Sequence, residues 1–113
     1  MQLIKLLPLA IATLAAAQDA PFATIYGDLE FKGVASEVTT TDCVSTVPLG
    51  FTGGVNSIIV DGDNHIFCQL FSDDQCQDIM RTFTAKVPSI YEGDKLRSVQ
   101  CAQGGLPKLY EEN

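Results

Sequence analysis

The sequence predicts an all-β domain made of two Greek-key units packed as a sandwich. Short segments rich in β-branched and aromatic residues alternate with Gly, Pro and Asp turn signals. No long window places apolar residues at the i, i+3, i+4 and i+7 spacing of an amphipathic helix. Strand-rich segments also recur after about forty residues, a period typical of duplicated supersecondary units.

Residues 1–17 have the pattern of a secretory signal peptide. A positive charge near the start is followed by a short apolar run, and Ala15 and Ala17 place small side chains before the expected cleavage point. The alternative, a membrane anchor, is disfavoured because the apolar run is too short to cross a hydrocarbon core of about 30 Å. We therefore expect a secreted, extracellular protein with a single domain over residues 18–113.

Size and charge narrow the function classes. A chain of 113 residues accommodates one small domain. Seven basic and fourteen acidic side chains give a net charge of −7, which disfavours nucleic-acid binding because phosphate contacts need clustered Lys and Arg. The same acidity disfavours a membrane-disrupting peptide or membrane insertion through anionic lipid. A hydrophobic fraction of 46% argues against disorder.

The first half of the domain reads as strands separated by turns. Thr and Val dominate its extended stretches, and Gly and Pro interrupt them. We expect a strand at 23–26, a turn at Gly27 and Asp28, extended chain at 31–33 and 35–41, and loop residues at 48–50 and 53–54.

The second half gives the clearest strand signals. Residues 55–60 form an apolar run, and Asp61 to Asn64 tolerate the backbone conformations that hairpin turns require. We therefore expect residues 66–71 to return as the hairpin partner of 55–60. Further strands are expected at 82–87, which ends at Pro88, and at 96–101.

An internal duplication relates the two halves. A shift of 41 residues aligns three strand positions, Val55 with Leu96, Ser57 with Ser98 and Ile58 with Val99. Upstream, residues 25–33 take the place held by 67–76 in the second half. Two unrelated strand–loop–strand segments remain the alternative because identity between the halves is low.

The duplicated pattern resembles the βγ-crystallin motif. Tyr26, Phe31 and Gly33 are similar to the aromatic strand and Phe-x-Gly that open that motif, and Ser57 and Ser98 look like the serines that pin its folded hairpin. The resemblance implies a βγ-crystallin-like sandwich, with motif one over about 23–60 and motif two over about 65–101. The second half departs from the pattern, because residues 76–78 read Cys-Gln-Asp where Phe-x-Gly is expected.

A second resemblance concerns the cysteine-containing segments. FCQLFSDDQCQD and the closing match at Asp94, Lys95, Ser98 and Cys101 are similar to small cysteine-containing proteins secreted by filamentous fungi. The resemblances together cover roughly residues 23–101. They imply a fungal effector candidate, a killer-toxin-like or antimicrobial protein, or a protease inhibitor.

The four cysteines predict a disulfide framework. An even count in a small secreted chain implies two disulfides, and three pairings are possible. The short polar turn between Cys68 and Cys76 favours joining those two, which leaves Cys43 to pair with Cys101. A zinc or redox site is the weaker alternative, because the chain has no CxxC and His65 is its only imidazole.

Calcium is the one cofactor with candidate ligands. Asp61, Asp63, Asp73 and Asp74 offer hard oxygen atoms. The spacing fails for an EF-hand, since counting from Asp61 puts Ser72 at position twelve. The crystallin-like calcium signature, two Asn/Asp residues followed two positions later by Ser/Thr-Ser, is also incomplete. These aspartates are equally typical of metal-free turns.

The sequence offers no recognisable catalytic constellation. His65 is a lone imidazole beside a predicted turn, and no nucleophile or carboxylate pair can be chosen from spacing. We therefore expect a non-enzymatic, monomeric, effector-like protein that binds an extracellular protein or a cell-wall component, without a required cofactor. A calcium-binding domain is the alternative, and a protease inhibitor acting through the loop at 48–51 is third.

Overall fold

Seven β-strands and four 3-10 turns form the regular structure of residues 20–104, the part of the chain that this computed structural model describes. No α-helix occurs within this range, and none of its helical turns is long and apolar enough to cross a membrane. The strands are β1 Ala23–Asp28, β2 Lys32–Val38, β3 Val44–Ser45, β4 Ser57–Val60, β5 Ile66–Phe71, β6 Ile79–Phe83 and β7 Ser98–Gln103. The all-β prediction is confirmed, whereas the predicted signal peptide lies outside the described residues.

The strands form two antiparallel sheets that exchange one segment each. Sheet A has the order β2-β1-β4, and sheet B has the order β3-β7-β5-β6. The third strand of the first unit, β3, therefore lies in the sheet of the second unit. In return, Val87 crosses to sheet A, where it makes hydrogen bonds of 2.8 and 3.0 Å with Ile58. This exchange produces the predicted sandwich of two Greek-key units.

The predicted hairpin between 55–60 and 66–71 is wrong. β4 pairs with β1, while β5 pairs with β6 and β7, so the two segments belong to different sheets. Their connection contains a 3-10 turn at Gly62–Asn64 and ends at His65, whose φ is 60°. Residues 61–65 take the chain from sheet A to sheet B. A hairpin would instead have placed the next strand beside β4.

The predicted strand at 82–87 is shifted toward the N-terminus. β6 ends at Phe83, which lies opposite Cys68 of its partner strand β5. Residues 84–86 are exposed, because the chain is leaving sheet B to reach Ile58 in sheet A.

The core lies between the two sheets. Along β1 and β5, buried inward-facing side chains alternate with half-buried ones, as the pleat of a strand requires. The fully buried apolar side chains include those of Phe51, Ile25, Val38, Val55, Ile58, Leu70, Leu96 and Val99, joined by Cys68 and Cys101.

The chain turns give the sandwich two distinct ends. What we call the loop end contains the folded hairpins 28–32 and 72–78 together with the long loops 46–56 and 88–97. The two long loops pack directly on each other, because the Val55 N–H donates to the Gly93 carbonyl at 3.0 Å. Gly54 has φ +89°, and a Cβ there would lie 2.1 Å from the Gly93 oxygen. The opposite end contains residues 20–22, 39–42 and 61–65.

Candidate functional site

The first folded hairpin at the loop end is pinned by a buried serine. Ser57 Oγ donates to the Asp28 carbonyl at 2.6 Å and accepts the Phe31 N–H at 3.0 Å. Ser57 is fully buried, whereas its partners are not, since Asp28 is exposed and Phe31 half-buried. Phe31 has φ 59°, a left-handed conformation that the bond to Ser57 helps to hold.

The second folded hairpin repeats this arrangement. Ser98 Oγ donates to the Asp73 carbonyl at 2.6 Å and accepts the Cys76 N–H at 3.1 Å. Cys76 has φ 56° and therefore takes the place that Phe31 holds in the first hairpin. The predicted role of the two motif serines is confirmed, even though Cys76 stands where the motif has an aromatic residue.

Both disulfides form, but the predicted pairing is wrong. Cys43 joins Cys76, and Cys68 joins Cys101. Cys68 and Cys101 are opposite each other in the β5–β7 register, with Cα atoms 4.0 Å apart. The strand partner of Cys68 across the β5–β6 hairpin is Phe83, so Cys76 in the hairpin turn is out of its reach.

The Cys43–Cys76 disulfide replaces an aromatic contact. In the first hairpin the rings of Tyr26 and Phe31 pack edge to face, with centroids 5.7 Å apart. The second hairpin has no ring at the position of Phe31, and Cys76 instead bonds covalently to the crossing between β2 and β3.

The four candidate calcium ligands lie at two different ends of the molecule. Asp61 and Asp63 belong to the turn that precedes β5, whereas Asp73 and Asp74 follow β5. Within residues 20–104, no three side chains of His, Cys, Asp or Glu converge to hold a metal ion. The structure therefore does not assemble the four aspartates into one site.

Asp73 already has hydrogen-bond donors around its carboxylate. Its oxygens accept the backbone N–H groups of Asp78 at 2.7 Å, Gln77 at 3.0 Å and Gln75 at 3.0 Å. These bonds, that of Asp78 first, lower the pKa of Asp73 below its ordinary value. The side chain is thus a turn-forming group, as the metal-free interpretation expects.

Two side chains that the sequence analysis did not single out occupy the loops of the crystallin-like calcium signature. That signature places Ser or Thr before the motif serine, and this chain has Asn56 and Arg97 there. Asn56 Nδ2 donates to the Gly53 carbonyl at 3.2 Å, and Arg97 Nη1 donates to the Asp94 carbonyl at 2.8 Å. N–H donors therefore cover equivalent carbonyl oxygens in both loops. The sequence signal for these donors is the residue before each motif serine, which is Asn56 or Arg97 in place of Ser or Thr.

A charged cluster fixes Tyr91 on the surface of the loop end. The Arg81 guanidinium lies 5.5 Å from the Tyr91 ring centroid and donates to the Tyr91 carbonyl at 3.1 Å. Glu92 pairs with Lys95 at 3.0 Å and with Arg81 at 3.5 Å. These cations, Lys95 first, lower the pKa of Glu92. Tyr91 remains 75% exposed, with its ring beside the Arg81 guanidinium.

Among the large exposed apolar side chains of residues 20–104, four lie in segments of the loop end, and Val34 and Ile79 lie in the adjoining strands β2 and β6. None of those in residues 20–104 lies at the opposite end. Val34 and the turn at Val47–Leu49 are neighbours, since a Cβ on Gly50 would lie 3.4 Å from Val34 Cγ2. We call this set the apolar surface; its members are Leu29, Val34, Val47, Leu49, Ile79 and Tyr91.

The surroundings of the loop at 48–51 and of His65 give little support to the functions considered for them. The loop proposed for protease inhibition forms a 3-10 turn at Val47–Leu49, and Phe51 beyond it is buried. It therefore lacks the extended backbone with which peptides add to an enzyme's sheet edge. His65 is exposed at the opposite end, beside an open groove of about 650 Å³ that includes Asp61 and Lys86.

Comparison with solved structures identifies the fold. A βγ-crystallin domain from Flavobacterium johnsoniae matches with a TM-score of 0.64 and 16% identity, over 76% of this chain and 99% of that one. The N-terminal domain of protein S matches with a TM-score of 0.62 and 12% identity, over 74% and 98%. A βγ-crystallin domain from Clostridium beijerinckii gives 0.59 and 16%, over 70% and 94%.

These similarities establish a βγ-crystallin-like fold, as predicted. A clostrillin double mutant, which also matches this chain, was solved in complex with nickel, which is a property of that variant. No family model and no curated protein matches this chain.

Proposed function

We propose that this protein is a secreted, non-enzymatic interaction protein, effector-like and of fungal origin, that binds an extracellular protein partner through its loop end. The observation that carries the proposal is the apolar surface, four of whose six side chains lie in loop-end segments, with Val34 and Ile79 in the strands that adjoin them. Exposed apolar groups gathered on one part of a small protein are typical of interaction sites. Tyr91 is the expected anchor, because a rigid aromatic side chain loses little freedom on binding.

The covalent framework is consistent with this setting. Both disulfides are formed and no described cysteine is free. Disulfides persist in oxidising compartments, which suits an extracellular site of action. Together with the pinned hairpins they keep the loop end in one shape, so a partner meets a preformed surface.

The calcium-binding alternative has weaker support. Calcium needs several oxygen ligands free of hydrogen-bond donors, whereas Asn56 and Arg97 donate N–H groups in the two loops where the crystallin-like signature would place it. The positive charge of Arg97 would also repel the ion. The protease-inhibitor alternative stays third because of the helical turn at Val47–Leu49.

A capture experiment with matched variants tests the proposal. Tagged mature protein would be incubated with extracellular proteins from the producing organism and its surroundings, in EGTA. Tyr91→Asp and Leu49→Asp place a charge on the apolar surface. Ala85→Asp adds the same charge to an exposed position away from the loop end.

We expect one protein to be retained by the wild type and by Ala85→Asp, and lost with both loop-end variants. Thermal melts of the variants should match, so that loss of binding cannot be ascribed to unfolding. Equal retention by all three variants would contradict binding through the loop end. Retention only of polysaccharide would contradict a protein partner.

A further inference from the structure

The two disulfides differ strongly in their exposure to solvent. Cys68 and Cys101 are fully buried and join the two central strands of sheet B. Cys43 is exposed and Cys76 is half-buried, at the surface between the β2–β3 crossing and the second folded hairpin. A thiolate must reach a sulfur atom along the S–S axis to exchange with it, so burial protects one disulfide and leaves the other open.

We propose that Cys43–Cys76 is a thiol-exchange site, at which low-molecular-mass thiols open one disulfide while the protein stays folded. The thiolate attacks the sulfur of Cys43, the more exposed residue of the pair, the S–S bond breaks, and Cys76 leaves as a thiolate. Cys43 is then held in a mixed disulfide with the small thiol. A second thiolate releases the small-molecule disulfide and leaves Cys43 reduced, so both electrons come from the thiols.

The hairpin that carries Cys76 should keep its shape after exchange. Ser98 still bonds to the Asp73 carbonyl and to the Cys76 N–H. In the first hairpin, Phe31 keeps a left-handed φ and the same kind of bond to a buried serine with no disulfide. Opening Cys43–Cys76 therefore frees the crossing at residues 39–43 from the loop end and leaves the core intact.

The surrounding charges select which thiols react fastest. Asp42 precedes Cys43, and the hairpin around Cys76 contains Asp73, Asp74 and Asp78. These carboxylates repel an anionic thiol such as glutathione and attract a cationic one such as cysteamine. The preference should weaken at high salt, because salt screens exposed charges.

The test measures exchange at each cysteine in the oxidised protein. Samples would be treated with cysteamine or glutathione at equal thiolate concentration, quenched with acid, alkylated and mapped by mass spectrometry. Cys68–Cys101 in the same molecule is the internal control. We expect Cys43 and Cys76 to react at least about 100-fold faster than the buried pair, whose exposure requires unfolding of the sheet. Cysteamine should react severalfold faster than glutathione in 10 mM salt, and the two rates should converge in 1 M salt.

Structural readouts separate local opening from unfolding. Hydrogen exchange after opening should increase at residues 39–43 and stay unchanged in β5 and β7. The double variant Cys43→Ala/Cys76→Ala should remain folded, with Cys68–Cys101 formed. Comparable rates at the two disulfides, or unfolding that accompanies the first exchange, would overturn the proposal. Faster reaction of glutathione would overturn the charge selection.

Discussion

Replacement of Ser98 by alanine tests whether a buried hydroxyl holds the second hairpin. The Ser98→Ala change removes the 2.6 Å bond to the Asp73 carbonyl and the 3.1 Å bond from the Cys76 N–H. Each such bond contributes about 1 kcal/mol net, and a stranded donor adds to the loss, which gives about 2–3 kcal/mol. The stranded groups are partly accessible to water, because Asp73 and Cys76 are half-buried, so the total should not exceed this range.

Denaturant unfolding of the oxidised protein measures the loss directly. For a domain of this size, 2–3 kcal/mol corresponds to a fall in Tm of roughly 10–20 °C. Ser57→Ala should cost about as much, since Ser57 makes the same two bonds in the first hairpin. Ser89→Ala, at an exposed loop position, is the control and should change stability by less than about 0.5 kcal/mol. A loss below that level for Ser98→Ala would refute the pinning role.

Three further predictions concern acid, a glycine and calcium. The pKa of Asp73 is lowered in the folded protein. The contribution of Asp73 to stability is therefore present above the ordinary carboxylate pKa of about 4. It is lost as the pH falls through the lower folded-state pKa. Asp73→Asn should therefore lose less Tm than the wild type between pH 5 and pH 2. Gly54→Ala should destabilise by about 2 kcal/mol or more in urea, because its Cβ would meet the Gly93 oxygen at a left-handed φ, while Gly53→Ala, with open space around it, should be nearly neutral. Millimolar calcium should leave the Tm equal to that in EGTA, and a rise matching about 2.7 kcal/mol, the value for a site at 100 times its Kd, would restore the calcium-binding alternative.

The fold was predictable because its signals are local. Alternating β-branched residues indicated most strands, and the spacing of Ser57 and Ser98 indicated two equivalent units. Each serine opens the last strand of its unit, where it meets the preceding hairpin. A serine that recurs at the same position of two apolar strands therefore indicated the duplicated hairpin-and-strand unit.

The disulfide pairing was not predictable because it depends on which strands become neighbours. Cys68 and Cys101 are 33 residues apart in sequence and meet only when β5 and β7 pair. The Asp-rich turn between Cys68 and Cys76 suggested a disulfide between these two cysteines. In the structure, backbone N–H groups of that turn bond to the Asp73 carboxylate.

The hairpin predicted at 61–65 was wrong, and the apolar surface was not predicted, for similar reasons. Turn residues at 61–64 indicate a change of direction, but whether the chain returns to the same sheet or crosses to the other is decided by the exchange of strands between units. The members of the apolar surface are scattered from Leu29 to Tyr91. Only the folded arrangement brings their segments to one end.

The two hairpins show which requirements of this fold are strict and which are not. Phe31 and Cys76 share a left-handed backbone and an N–H bonded to a buried serine, at φ 59° and 56°. Their side chains differ completely, since one packs on Tyr26 and the other forms a disulfide with Cys43. The backbone geometry and the serine are thus the common requirement, and the side chain at this position has alternative solutions. A fold with so few strict requirements can persist at low sequence identity. This chain is 12–16% identical to the three structural neighbours described above. Because the hairpins are pinned from inside, the outer face of the loop end is free to diverge, as the proposed binding role requires.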